Sequence, residues 1–359
     1  MAGLVLWCLP RNWSPLTRRR LANFRQNRRG FWSLWIFLLL LLVSLPAEFI
    51  GNDKPLFISF QGRWYFPALK AYPETAFGGD FETEADYREP LLLDDIILAG
   101  GGRVVWPPLR WSYDTIDDQS AEPVPARPGA RHWLGTDDQG RDVLARALYG
   151  FRLSVLFGFT LTAISAVVGV LMGLWQGFSG GWVDLLAQRF MELWGSMPAL
   201  YMLIIMASFV TPTFLTLLAL LLLFNWMGLV HVVRAETLRT RTLEYVRAAR
   251  ALGLSGPRLA LRHVLPNAMV ATLTFIPFNL AASLTTLTSL DFLGLGLPPG
   301  SPSLGEMLQQ GKANLQAPWL GLTAFLVLAV TFTLVVFIGE AVRDVFYPRR
   351  TLGPEEATR

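Results

Sequence analysis

The sequence predicts an all-α integral membrane protein with six transmembrane helices, and three observations carry that prediction. Of its 359 residues, 52% are hydrophobic and only 16% charged, where soluble domains carry roughly 25% charge; the mean hydropathy is +0.39. Apolar runs recur at the length a bilayer requires, about 20 helical residues for a hydrocarbon core of about 30 Å. The charges are also unevenly placed. Residues 1–30 hold seven arginines and no acid, residues 234–267 hold seven arginines against two acids, and residues 51–150 hold ten basic and sixteen acidic residues. That asymmetry puts the first two segments in the cytoplasm and the third outside. It also explains the net charge of +4 without invoking nucleic acid.

The elements follow in order. After the basic cytoplasmic N-terminus, residues 1–30, the first span covers residues 31–50, with Arg28 and Arg29 at its inner edge and Pro46 and Glu48 near its outer end. The long apolar run and extended arginine-rich lead suit an uncleaved anchor better than a cleavable signal peptide. Residues 51–150 form an external segment rich in aromatics, as in RWYFP (Arg63–Pro67) and VVWPPLRW (Val104–Trp111), and in prolines, as in EPVPARP (Glu122–Pro128). Its proline spacing predicts partly extended structure that leans on the spans rather than folding alone; the aromatics suit interfacial anchors. Thr136-Asp137-Asp138-Gln139 has capping-box spacing and predicts a surface helix over Asp142–Tyr149 that feeds the second span.

The second span is residues 151–176, ended by GFSGGW (Gly177–Trp182). Leu193–Val230 is a further 38 residues without charge, too long for one helix. Thr211-Pro212-Thr213 is its natural break, giving a third span at 190–210 and a fourth at 214–233. A cytoplasmic loop (234–267), a fifth span (268–290), an external loop (291–318), a sixth span (319–339) and a cytoplasmic tail (340–359) complete the chain. Six crossings return the C-terminus to the cytoplasm, where Arg343, Arg349 and Arg350 flank the last span.

Chemistry of its own is nearly missing from the sequence. No GxxxxGK[ST] phosphate loop occurs, and Gly311-Lys312-Ala313 lacks both the leading glycine and the hydroxyl residue, so ATP should be bound elsewhere. His132, His231 and His263 are not at metal-ligand spacing, and Cys8 is the single cysteine. No cofactor is expected. Arg189, Glu192, His231, Asp291 and Glu340 fall at predicted span ends, not at mid-depth, which argues against ion-coupled transport. Energy for any uphill movement should come from a partner acting on the cytoplasmic loop.

Within that loop, EYVRAARALGLSGPRLALRHVLP (Glu244–Pro266) predicts two short helices. In the first, Tyr245, Ala248, Ala249 and Leu252 recur at i, i+3, i+4 and i+7 on one apolar stripe, and Arg247 and Arg250 face elsewhere. Gly253 ends it, Ser255-Gly256-Pro257 restarts the chain, and the second helix runs to about Leu265, where Pro266 interrupts the hydrogen-bond ladder. The segment suits either a lever for a soluble partner or a connector lying on headgroups.

These residues carry a family resemblance. The chain is similar to permease subunits of binding-protein-dependent ABC importers, whose cytoplasmic loop reads Glu-Ala-Ala, three residues, Gly, nine residues, an apolar residue, one more, then Leu-Pro. Ala248-Ala249, Gly253 and Leu265-Pro266 fall in register; Arg247 replaces the first Glu and His263 the apolar residue, with Glu244 three positions upstream. His132–Gly158, Gly177–Trp194 and Ser289–Leu308 resemble the peptide group, and the segment beginning FISFQGRWYFP (Phe57–Pro67) resembles importers that also admit microcin C.

The resemblance implies the six-helix permease fold of type I ABC importers in a bacterial inner membrane. The implied partners are a second permease subunit of different sequence, a cytoplasmic ATPase that binds ATP and magnesium, an external peptide-binding protein and the peptide itself. Glu244, Tyr245, Arg247, Ala248, Ala249, Leu252, Gly253, Leu265 and Pro266 would couple to the ATPase. Alternatives are a membrane scaffold without a pathway, a permease for other delivered solutes such as dipeptides or nickel, an exporter, and an outer-face enzyme using Asp137, Asp138 and Asp142.

Overall fold

The structure is a computed structural model that describes residues 15–118, 123–209 and 213–346. Cys8, the basic residues before position 15, Thr211-Pro212, Glu122, Arg349 and Arg350 lie outside the described residues. The helices in chain order are α1 (Pro15–Gln26), α2 (Arg28–Ser44), α3 (Ala47–Ile50), α4 (Val143–Ser179), α5 (Gly181–Ser196), α6 (Ala199–Phe209), α7 (Phe214–Asn225), α8 (Met227–Thr240), α9 (Glu244–Ala251), α10 (Gly256–Leu259), α11 (Leu265–Phe292), α12 (Leu304–Ala313) and α13 (Pro318–Phe346). Among the described residues, four helical stretches are long and apolar enough to cross a membrane: Val143–Ser179, Phe214–Thr240, Gly256–Phe292 and Pro318–Phe346. The chain divides into two compact units, one comprising residues up to Leu38, Leu156–Leu287 and residues from Ala329, the other Leu39–Val155 and Thr288–Leu328.

In the first unit the helix boundaries follow local chemistry. Gly180 and Gly181 both take positive φ, 65° and 56°, a backbone that turns α4 into α5 and that side chains resist. Thr213 caps α7, its hydroxyl accepting from the Thr216 amide. One expectation fails here: the third predicted span, 190–210, is not one helix. Met197 is extended (φ −71°, ψ 127°) between α5 and α6, because Pro198 disfavours helical backbone in the residue before it. At 11 residues α6 rises only about 17 Å.

The inward face of α4 is a stripe of glycines. A Cβ on Gly169 would sit 2.9 Å from Leu229 Cβ, one on Gly173 2.8 Å from Val233 Cβ, and one on Gly177 2.7 Å from Thr237 Cβ. Glycine every fourth residue lets α4 and α8 approach to backbone contact, the small-residue packing used between membrane helices. Val167, Leu171 and Trp175 repeat with the same spacing on another face and are exposed, as lipid-facing residues are.

The second unit corrects two expectations. It is not all helical: β1 (Phe57–Phe60), β2 (Arg63–Tyr65) and β3 (Arg103–Val105) form an antiparallel sheet in the order β2-β1-β3. Nor does this segment lack a core. Ile58, Phe60, Phe77, Ala85, Tyr87, Leu92 and Ile97 are buried together, with Tyr65, Tyr72 and Trp106 against them. The prolines lie between the elements that bring these aromatics together, so they do not prevent a core.

The capping box at Thr136 and the separate surface helix are also not found. Helix α4 is continuous over 37 residues, Val143–Ser179, and its cap is Asp142, whose carboxylate accepts from the Ala145 amide at 2.8 Å. Thr136 instead accepts from the Ala126 amide at 2.7 Å. Gly311-Lys312 lies inside α12, where Gly311 packs on Gly321 of α13: a Cβ there would meet the Gly321 nitrogen at 2.5 Å.

Candidate coupling site

The charged segment after α8 forms an arm whose fold is set by one buried valine. Val246, 0% exposed, joins Leu259, Ala260 and Val264 from the returning limb and Leu174 from α4, with Phe178, Ala249, Leu254 and Leu265 packed around them. Burying this cluster fixes the arm to the end of α4, since dispersion and desolvation both reward the contact. Arg250 reinforces it, its guanidinium 5.8 Å from the Phe178 ring centroid. A second tie is Arg241, which donates to the Gly177 carbonyl at 2.8 Å. A third is the two-pronged pair of Arg234 on α8 with Asp184 on α5, at 2.5 and 2.6 Å.

The predicted residues divide between seat and tip. Ala249 and Leu265 are half-buried in the seat. Glu244, Arg247 and Ala248 are exposed, and Leu252 is 83% exposed. Gly253 has φ 85°, and the space where a Cβ would stand is open, with no atom within 4 Å. Glycine is therefore required there by backbone, ending α9 in the left-handed conformation. Tyr245 does not lie on a buried stripe; its hydroxyl accepts from the Asn267 amide at 2.5 Å and donates to the His263 carbonyl at 3.4 Å.

The apolar stripe expected from Tyr245, Ala248, Ala249 and Leu252 is therefore corrected to Val246 and Ala249, which leaves Leu252 projecting beside Gly253. Pro266 does not end a helix either. A π-helical turn, Ala260–Val264, leads without a break into α11 at Leu265, so the helical stretch Gly256–Phe292 runs on through the proline. The residues missed by sequence reasoning are Val246, Leu174, Phe178 and the glycines at 169, 173 and 177. The four-residue glycine spacing is visible in the sequence; the seat on α4, about 70 positions upstream by numbering from Val246 to Leu174, is a pairing between distant segments that no local period marks.

The acids proposed for outer-face chemistry have structural partners. Asp137 is buried and accepts from Arg141 at 2.7 Å; Asp138 accepts from Gln310 at 2.8 Å, and burial followed by the Asp137 charge pushes its pKa up. Asp142 caps α4 and holds His132 Nδ1 at 2.8 Å, while Asp117 holds Nε2 at 3.0 Å. Burial alone would lower the His132 pKa, but its hydrogen bonds to the two carboxylates outweigh it and raise the group. Arg131 neutralises Asp117 at 2.7 Å, and Arg146 reaches Glu306 at 3.1 Å. Every one of these acids is committed to a cation, an amide or a helix cap. Among the described residues no group of three or more His, Cys, Asp or Glu is arranged to hold a metal ion.

Comparison with known proteins places these features in a family. The family model described as "Binding-protein-dependent transport system inner membrane component" matches residues 165–352, a range that contains the arm. The chain is 54% identical to the peptidoglycan transport system permease protein YejE of Agrobacterium fabrum over 94% of both chains. It is 57% identical to the inner membrane ABC transporter permease protein YejE of Escherichia coli, over 94% of this chain and 99% of that one. The oligopeptide transport system permease protein OppC of Mycobacterium tuberculosis is 33% identical over 67% of this chain and 83% of its own. A multi-pass helical chain with this match belongs to the inner-membrane permeases of binding-protein-dependent ABC importers, the membrane subunits that work beside a separate ATPase.

Proposed function

We propose that the chain is one of two different permease subunits of an ATP-driven peptide importer, taking oligopeptides or microcin C-like peptides from an external binding protein. Relatives named for peptidoglycan and oligopeptide transport support the solute class. The chain crosses the membrane six times in this reading. α2 is the first span, the α5–α6 region the third, and the four long apolar stretches are the others. Both termini and the arm lie in the cytoplasm, and the segment between α3 and α4 lies outside, as the arginine distribution supports.

The observation that carries the mechanism is the two-part arm: an exposed tip at Ala248, Leu252 and Gly253, and a buried seat at Val246 and Leu174. In this reading the tip enters a groove on the ATPase, with Glu244, Tyr245 and Arg247 beside it and Leu265 and Pro266 carrying the returning limb. ATP binding draws the ATPase subunits together and favours one of two permease conformations; the seat transmits that preference to α4. Small residues at the tip permit close docking. Gly253→Glu adds bulk and charge there and strains a left-handed backbone. We expect peptide uptake to fall by about tenfold or more, the scale of a lost coupling free energy of about 1.4 kcal/mol or larger, while membrane insertion stays normal and ATPase co-purification weakens. Wild-type uptake in that variant would refute the role of the tip.

A further inference from the structure

A groove of about 430 Å³ opens beside the arm, lined in part by Arg239, Thr240, Tyr245, Arg262, His263 and Asn267. Its lining comes from two segments that each adjoin an apolar run: α8, which ends the membrane-crossing stretch Phe214–Thr240, and the limb that begins Gly256–Phe292. Asn267 is the last residue before the predicted fifth span. The groove therefore sits where two membrane-crossing stretches meet the polar boundary, in the headgroup layer that extends several ångströms beyond the hydrocarbon.

Its chemistry selects an anion. Two guanidiniums and one imidazole face a single acid, Glu236, which lies 3.6 Å from Arg239 and leaves most of that exposed guanidinium open to solvent. Arg262 makes no ion pair among the described residues. A second observation is independent of charge. Thr240 lines the groove, is 1% exposed, and its hydroxyl has no hydrogen-bond partner; a buried hydroxyl left unpaired is unfavourable by about 1–3 kcal/mol in general. Two arginines facing a single acid are matched by an oxyanion, and basic pockets between membrane helices at the cytoplasmic side suit lipid head groups.

We propose that this groove binds the phosphate of an anionic phospholipid head group, so that lipid bridges α8 and the returning limb and braces the arm. The proposal takes the arm end to be at a membrane face, as the functional reading does, but not that the tip docks an ATPase. The same phosphate chemistry is offered by free phosphate, and an acidic stretch of a protein partner is the competing occupant.

The test uses the full chain purified with the subunits it retains, from nanodiscs of phosphatidylcholine alone or with phosphatidylglycerol, and counts retained lipid by native mass spectrometry. Wild type and Arg239→Lys/Arg262→Lys should retain phosphatidylglycerol. Each arginine changed to glutamine should weaken retention about fivefold, and both together about thirtyfold, the effect of roughly one surface charge each. Equal retention in wild type and Arg239→Gln/Arg262→Gln overturns the proposal. So does displacement of the lipid by millimolar inorganic phosphate, or loss of ATPase co-purification in the double variant with lipid retention unchanged. Because lipid is read directly, a failure of Gly253→Glu to block uptake leaves this result standing.

Discussion

Single residues in this protein act through the space they leave as much as through the groups they carry. Gly173 is the clearest case: a Cβ would lie 2.8 Å from Val233 Cβ, 2.9 Å from the Val230 carbonyl oxygen and 3.0 Å from the Arg234 nitrogen. Two of those neighbours are backbone, which cannot rotate away. Gly173→Val should therefore destabilise the helix pair at the upper end of overpacking effects, about 3 kcal/mol, and lower both the yield of inserted protein and its melting temperature. Gly195, whose Cβ position is open, provides the control: Gly195→Ala should leave melting within about 1 °C, a surface-scale change. The repeat at 169, 173 and 177 is plain in the sequence, but its partner is not. Nothing local distinguishes a glycine stripe that receives a helix from glycines that merely bend one.

At the scale of elements, the arm shows how far pattern reasoning reaches. Gly253 was legible because left-handed backbone has a residue signature, and the GFSGGW break because two adjacent glycines do. The orientation of α9 was not legible: Tyr245, Ala248, Ala249 and Leu252 satisfy helical spacing equally well as a buried or an exposed face. The seat, contributed by Leu174, decides the matter in favour of Val246. Val246→Asp places a carboxylate in that cluster, where an unpaired charge is unfavourable by about 3 kcal/mol or more. We expect the variant to keep membrane insertion, yet to lose peptide uptake and substrate-stimulated ATP hydrolysis. Wild-type stimulation in Val246→Asp would show that the seat does not transmit the ATPase movement. Similarly, the break between α5 and α6 turns on Pro198: apolar length measures how much membrane a segment suits, whereas proline decides whether the helix runs in one piece.

Across the whole chain, the apolar stretches and the arm were readable because both obey short-range rules, while the second unit depended on pairs far apart in sequence. Arg146 and Glu306 meet across 160 positions by their numbering, 306 − 146, and the core around Phe77 and Tyr87 is assembled from segments interrupted by prolines. The His132 network gives that unit a pH dependence. Its folded pKa is raised, so the stabilising protonated form is fully present below the unfolded value of about 6.5 and is lost as pH rises through the higher folded value. Thermal unfolding followed by circular dichroism should shift down as pH rises above about 6.5, and His132→Gln should abolish that shift. A pH-independent transition in wild type would remove this assignment. The arm's seat has a further consequence for the protein as an assembly of parts. Because the α4 side of the pocket that receives Val246 is built by Leu174 and Phe178, residues 244–266 are not a portable cassette: a chimaera that exchanges the arm between two permeases must carry its α4 footing with it, or the graft will be held by a surface shaped for another sequence.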